Sequence, residues 1–191
     1  MHFARLRVVL TGLTVVACHE YPASPRTWSS ADPRLVRSAA PEEAEIAATG
    51  EGRYDLGGLI VRFEFAAVAR NNEEAKGDFE IFTDEGAGLT ISFEAKVTCL
   101  AVDPVNHRAW IGGTIKENES TDPDFLTDIH QKGRDIWFRV LDDPAGDRST
   151  FVGFTGSAGF VTSADYCAGQ PWPAGNARTW PVVSGGITAR P

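Results

Sequence analysis

Ser157, in "FTGSAGF", comes nearest to a nucleophile motif in this chain. A nucleophile elbow needs Gly-x-Ser-x-Gly on a sharp strand-to-helix turn, so that the hydroxyl stands clear of the backbone. Gly159 fits that spacing, but Thr155 occupies the first glycine position and the flanking residues have strand and loop character. A tight turn is therefore expected at Ser157. Among the histidines, His19 lies in a Pro/Ser-rich stretch, His107 in the turn-like "DPVNHR" and His130 at the end of "STDPDFLTDIH". Nothing in their spacing brings two of them together for acid–base work.

Carboxylates gather at Asp142, Asp143 and Asp147 in "DDPAGD", and at Asp122, Asp124 and Asp128. Calcium takes six to eight hard oxygen ligands from flexible loops, so the first group is the place a calcium ion would choose. Neither group has the D-x-[DN]-x-[DN]-G spacing with a distal Glu, and solvated turn acids with no cofactor are the expectation. Four tryptophans are further candidates. Trp110 has apolar strand neighbours, and Trp137 has the opposite parity from Ile136, Phe138 and Val140, on one face with Arg139 and Leu141. Trp172 and Trp180 lie in "AGQPWPAGNARTWPVV", each held extended by a following proline. They either stack on a sugar or anchor a partner, or cover an open end of the core.

Residues 1–17 have the parts of an export signal: Arg5 and Arg7, a largely apolar run from Val8 to Ala17, and a small residue at its end. The run is too short for a bilayer that needs about 20 residues. Val15, Val16, Ala17 and Cys18 resemble the lipobox of a bacterial lipoprotein signal, with Val15 where Leu is commoner. The resemblance implies that Cys18 is acylated and becomes the mature N-terminus, several acyl chains giving a stable anchor. A plain secretory signal, with Cys18 incidental, is the alternative. His19 follows the cysteine where an Asp often marks inner-membrane retention, so the expected location is the outer membrane or cell surface, or the periplasm or exterior if Cys18 is not lipidated.

Loss of Arg5 and Arg7 lowers the 18 basic residues to 16 against 26 acidic ones, a formal charge of −10. Such a chain repels phosphate backbones, so nucleic-acid partners are disfavoured. With Cys18 spent on lipid, Cys99 and Cys167 remain as a pair in an oxidising compartment, and a disulfide is expected. A loop of 68 residues closed in this way is stabilised by about 4 kcal/mol on the chain-entropy estimate. Two buried free thiols are the alternative.

Three segments follow: a signal at 1–17, the lipidated Cys with a tether at 18–45, and one β domain at 46–191. Residues 19–43 are rich in Pro, Ser, Ala and charge, without apolar periodicity. In "GLTISFEAKVTCLAVD", Leu89, Ile91, Phe93, Ala95, Val97, Cys99 and Ala101 alternate with polar residues, the period of a strand with one dry face. Its length predicts a bend or bulge. "LIVRFEFAAV", "DFEIFT", "RAWIGGTIK", "DIWFRVLD", "STFVGFTG" and "VVSGGITAR" read as further strands, separated by turn residues. The expected fold is all-β: an antiparallel sandwich or partly open barrel of about 7–9 strands. "STDPDFLTDIHQKG" should supply a short helix or helical turn, with Phe125, Ile129 and Leu126 at helical spacing.

"VTCLAVD", "RAWIGGTI", "DIWFRVLDD", "DYCAG" and "PVVSGGITAR" together resemble a group of uncharacterised secreted bacterial domains with this order of elements. The resemblance covers roughly residues 46–190, implies a β domain, and carries over no catalytic residue. The expectation is a non-enzymatic binding or structural module of the cell envelope, tethered to the membrane, with an envelope protein or a glycan as partner. Two alternatives stand beside it: an envelope enzyme acting on glycans or peptides through the acids of "DDPAGD" or "TDPDF", and a carbohydrate-binding module using Trp172 and Trp180.

Overall fold

The computed structural model describes residues 45–70 and 73–191. Their strands are β1 (Glu45–Asp55), β2 (Ile60–Arg70), β3 (Lys76–Gly86), β4 (Leu89–Asp103), β5 (Arg108–Asn118), β6 (Asp135–Leu141), β7 (Arg148–Ser149), β8 (Gly153–Phe154) and β9 (Trp180–Arg190), with one helix, α1 (Ser163–Gly169). Period-two patterning makes the long strands: in β2, Val61, Phe63, Phe65 and Ala67 are buried while Arg62, Glu64 and Ala66 face water. β1 to β6 pair antiparallel in chain order, and β9 lies along the free side of β1. β7 then links β6 to β9 through two residue pairs on each side. The sheet therefore curls round to meet itself through a short seam, a partly open antiparallel barrel. Its interior is one aromatic-rich core, with Phe138 edge-on to Phe65 and Phe79 at 5.2 and 5.0 Å.

The thin seam is completed by side chains. The Asp147 carbonyl accepts the N–H of Val182 at 2.8 Å, and its carboxylate accepts the N–H of Ile187 at 2.7 Å. Asp142 accepts the N–H of Ala189 at 2.9 Å. β9 would otherwise present a row of unsatisfied donors along this edge, and the acids of "DDPAGD" take the place of the missing strand.

β4 carries the expected irregularity, and with it a correction. The register shifts between Val97 and Cys99 against Gly113 and Gly112, which leaves Thr98 as an extra residue. A bulge of this kind reverses the side-chain parity beyond it. Ile91, Phe93, Ala95 and Val97 face the barrel core, but past the bulge Leu100 and Val102 pack against that core while Ala101 packs against a second cluster. Cys99 thus leaves the face it shares with Val97 in a regular strand and meets Cys167 of α1 in a disulfide, with Cα atoms 6.2 Å apart. α1 lies over β5, where a Cβ at Gly112 would stand only 2.7 Å from both Cys99 Sγ and Ser163 Cβ. Only glycine lets the helix come this close.

No helical period in the sequence marks α1. Thr162 caps it by accepting the N–H of Asp165 at 3.1 Å, and Gln170 ends it in the left-handed region at φ 45°. The 121–131 segment instead forms two 3-10 turns, Pro123–Phe125 and Asp128–His130. Phe125 packs on the core as expected, but Leu126 and Ile129 are exposed and His130 is the second inward residue. The 3-10 geometry, with three residues per turn, breaks the i, i+4 stripe.

Candidate ligand groove

The outward face of β6 carries Trp137 and Arg139, as the parity of "DIWFRVLD" requires. Gly153 of β8 lies under the indole, where a Cβ would come within 2.5 Å of Trp137 Nε1. From α1, Tyr166 stacks on Trp137 at 5.5 Å and 22°. Trp110, Trp137 and Tyr166 form a small cluster separate from the barrel core, with Phe160 and Trp172 at its margin. Between this cluster and the 150–158 and 178–180 segments lies a groove of about 250 Å³. Trp137, Phe151, Tyr166 and Trp180 give it aromatic walls, and Arg139 and Arg178 give it two guanidinium groups.

Arg139 is only 7% exposed. Its Nη2 donates to the carbonyl of Ala177 at 3.1 Å, but its Nε–H has no partner. The ion pairs among the described residues join Arg70 to Glu45, Lys76 to Glu73, and Lys116 to Asp78 and Glu94, so none involves Arg139 or Arg178. Burial pushes the Tyr166 hydroxyl up to about 12, against the opposing pull of the Arg139 charge. Arg108 and Arg139 also stand 4.6 and 5.3 Å from the centre of the Trp172 ring, an arrangement that is favourable but modest. A buried guanidinium without a carboxylate is unusual, because desolvating a charge is costly unless it is paired.

Most of the residues singled out in the sequence are dispersed, although the Asp142 N–H donates to the His107 carbonyl at 2.9 Å. Cys18 lies outside the described residues. Trp172 packs edge-on to Trp110 at 5.8 Å and donates from Nε1 to Asn176 at 2.9 Å, whereas Trp180 stacks on Tyr54 at 6.1 Å and packs on the barrel core. The two rings do not make one flat platform. Asp143 accepts the N–H of Ala145 at 2.9 Å, so all three acids of "DDPAGD" serve backbone donors. No group of three or more His, Cys, Asp or Glu arranged to hold a metal occurs among the described residues.

His107 is an exposed turn residue at φ 54°. His130 is buried, with Nδ1 3.0 Å from Thr127 Oγ1 and its ring 4.3 Å from that of Phe154. The "DDPAGD" loop follows the Leu141 partner of Arg108, while the carbonyls of Phe125 and His130 are tied to Asn118. These are opposite ends of β5, about 30 Å apart. Ser157 Oγ accepts the N–H of Phe154 at 3.0 Å within a turn. Arg139, Tyr166 and Arg178 were not among the sequence candidates. An arginine between Phe138 and Val140 in a strand was the available signal.

A second surface feature runs across the outer sheet. Glu51, Glu64, Glu80, Glu94 and Glu117 are directly opposite one another on five successive strands, β1 to β5. Lys116 reaches Glu94, the fourth in the row.

Comparison with protein-family models, with curated proteins and with solved structures found no match to this chain.

Proposed function

We propose that this chain is an exported, lipid-anchored domain of the bacterial cell envelope that acts by binding. The observation that carries the reading is the Cys99–Cys167 disulfide, because such bonds persist in oxidising compartments outside the cytosol. The lipobox-like residues at Val15–Cys18 and the acidic balance of the chain support the same reading. No helix among the described residues is long and apolar enough to cross a membrane; the anchor in this reading is the set of acyl chains on Cys18.

Membrane fractionation of cells expressing the full chain tests this. The wild type should sediment with membranes and require detergent for release, and Cys18→Ser should move to the soluble fraction. Retention of Cys18→Ser in the membranes would overturn the anchor.

A further inference from the structure

We infer that the groove beside Arg139 is a binding site for a small aryl carboxylate. The inference deepens the binding-module reading, since it names what such a module would hold, but the site does not depend on the anchor. Arg139 lines the groove with a charge that is almost wholly buried, and its enclosed Nε–H, which has no partner, leaves that charge under-satisfied. Trp137 Nε1 has no hydrogen bond to any described residue and lies against Gly153 on the same wall. Arg178 brings a second guanidinium to the groove, from a segment at left-handed φ of 60°. In a chain with 26 acidic residues, neither arginine is paired with a carboxylate among the described residues. A ligand carboxylate would satisfy both.

The rest of the groove selects the ligand's body. Trp137, Phe151, Tyr166 and Trp180 favour a flat apolar ring, and a volume of about 250 Å³ falls below the roughly 300–1,000 Å³ of drug-sized sites. A guanidinium matches a planar carboxylate in a directional, charge-assisted geometry. A free inorganic anion would leave the aromatic walls unused.

Calorimetric titration of the full chain, purified in detergent, with 2-naphthoate tests the inference, with 2-naphthamide and inorganic sulfate as controls. Saturable binding of the naphthoate is expected, with the amide at least tenfold weaker and sulfate a poor competitor. Arg178→Gln, at an exposed position, should weaken binding several-fold without moving the melting temperature. Arg139→Lys should weaken it at least tenfold and keep the far-UV spectrum. Equal affinity for the amide, full competition by sulfate, undiminished binding in both variants, or no binding by folded protein would each overturn the site. Naphthoate binding by a Cys18→Ser protein found in the soluble fraction would separate this inference from the anchor, because the groove would stand whether or not the anchor does.

Discussion

Asp147 holds the backbone N–H of Ile187 at 2.7 Å, across the seam where β9 has run out of strand to pair with. With Asp142 on Ala189, it does the work of a ladder in the stretch β7 does not reach. Asp147→Ala should therefore strip a backbone donor of its partner and cost about 1–3 kcal/mol. Urea unfolding should show the loss, and Asp143→Ala, whose carboxylate serves only its own turn, should cost less. Because these carboxylates are committed to backbone donors, added calcium should leave the wild-type melting curve unmoved. A saturable rise would reveal a metal site.

Gly112 presses against Cys99 and Ser163 with no room for a methyl group. Gly112→Ala should push α1 away from β5 and destabilise the protein by about 1–3 kcal/mol, the usual cost of overpacking. The strain should also move Tyr166, so near-UV circular dichroism should change while the far-UV spectrum holds.

Glu64 and Glu80 face each other in the middle of the glutamate row. Like charges directly opposite are unfavourable in a sheet, and both residues are exposed. Glu80→Lys should raise stability by about 0.5 kcal/mol at low ionic strength, with less gain at high salt. Melting temperatures at two salt concentrations would check the sign.

His130 titrates below its usual 6.5 because burial disfavours the charged ring. The folded state therefore binds fewer protons than the unfolded one as pH falls below about 6.5, and stability falls with it. The wild type should lose more unfolding free energy between pH 7.5 and 5.5 than His130→Gln does. Equal losses would mean that His130 contributes nothing to the slope.

Much of the fold was legible in the sequence because alternation is local. Val61, Phe63 and Phe65, or Ile136, Phe138 and Val140, declare their faces without reference to the rest of the chain. Closure was not legible: it depends on β9 lying along β1 and on β7, Asp142 and Asp147 reaching β9, contacts between distant segments. The bulge was foreseeable from the length of β4, but its position was not, and one extra residue at Thr98 was enough to send Cys99 to the outer face. α1 has only seven residues, too few to display a helical period. The groove was the least legible feature, since Trp137, Gly153, Tyr166 and Arg178 come from four separate segments. Only the shared parity of Trp137 and Arg139 could be read in advance.

Intact mass spectrometry reads acylation at Cys18 and the Cys99–Cys167 disulfide in one experiment. Protein extracted from its native membranes in detergent would be alkylated before and after reduction. The expected result is a chain beginning at Cys18 with added acyl mass, and alkylation of Cys99 and Cys167 only after reduction. A chain beginning elsewhere without acyl mass, or thiols that alkylate without reduction, would contradict it.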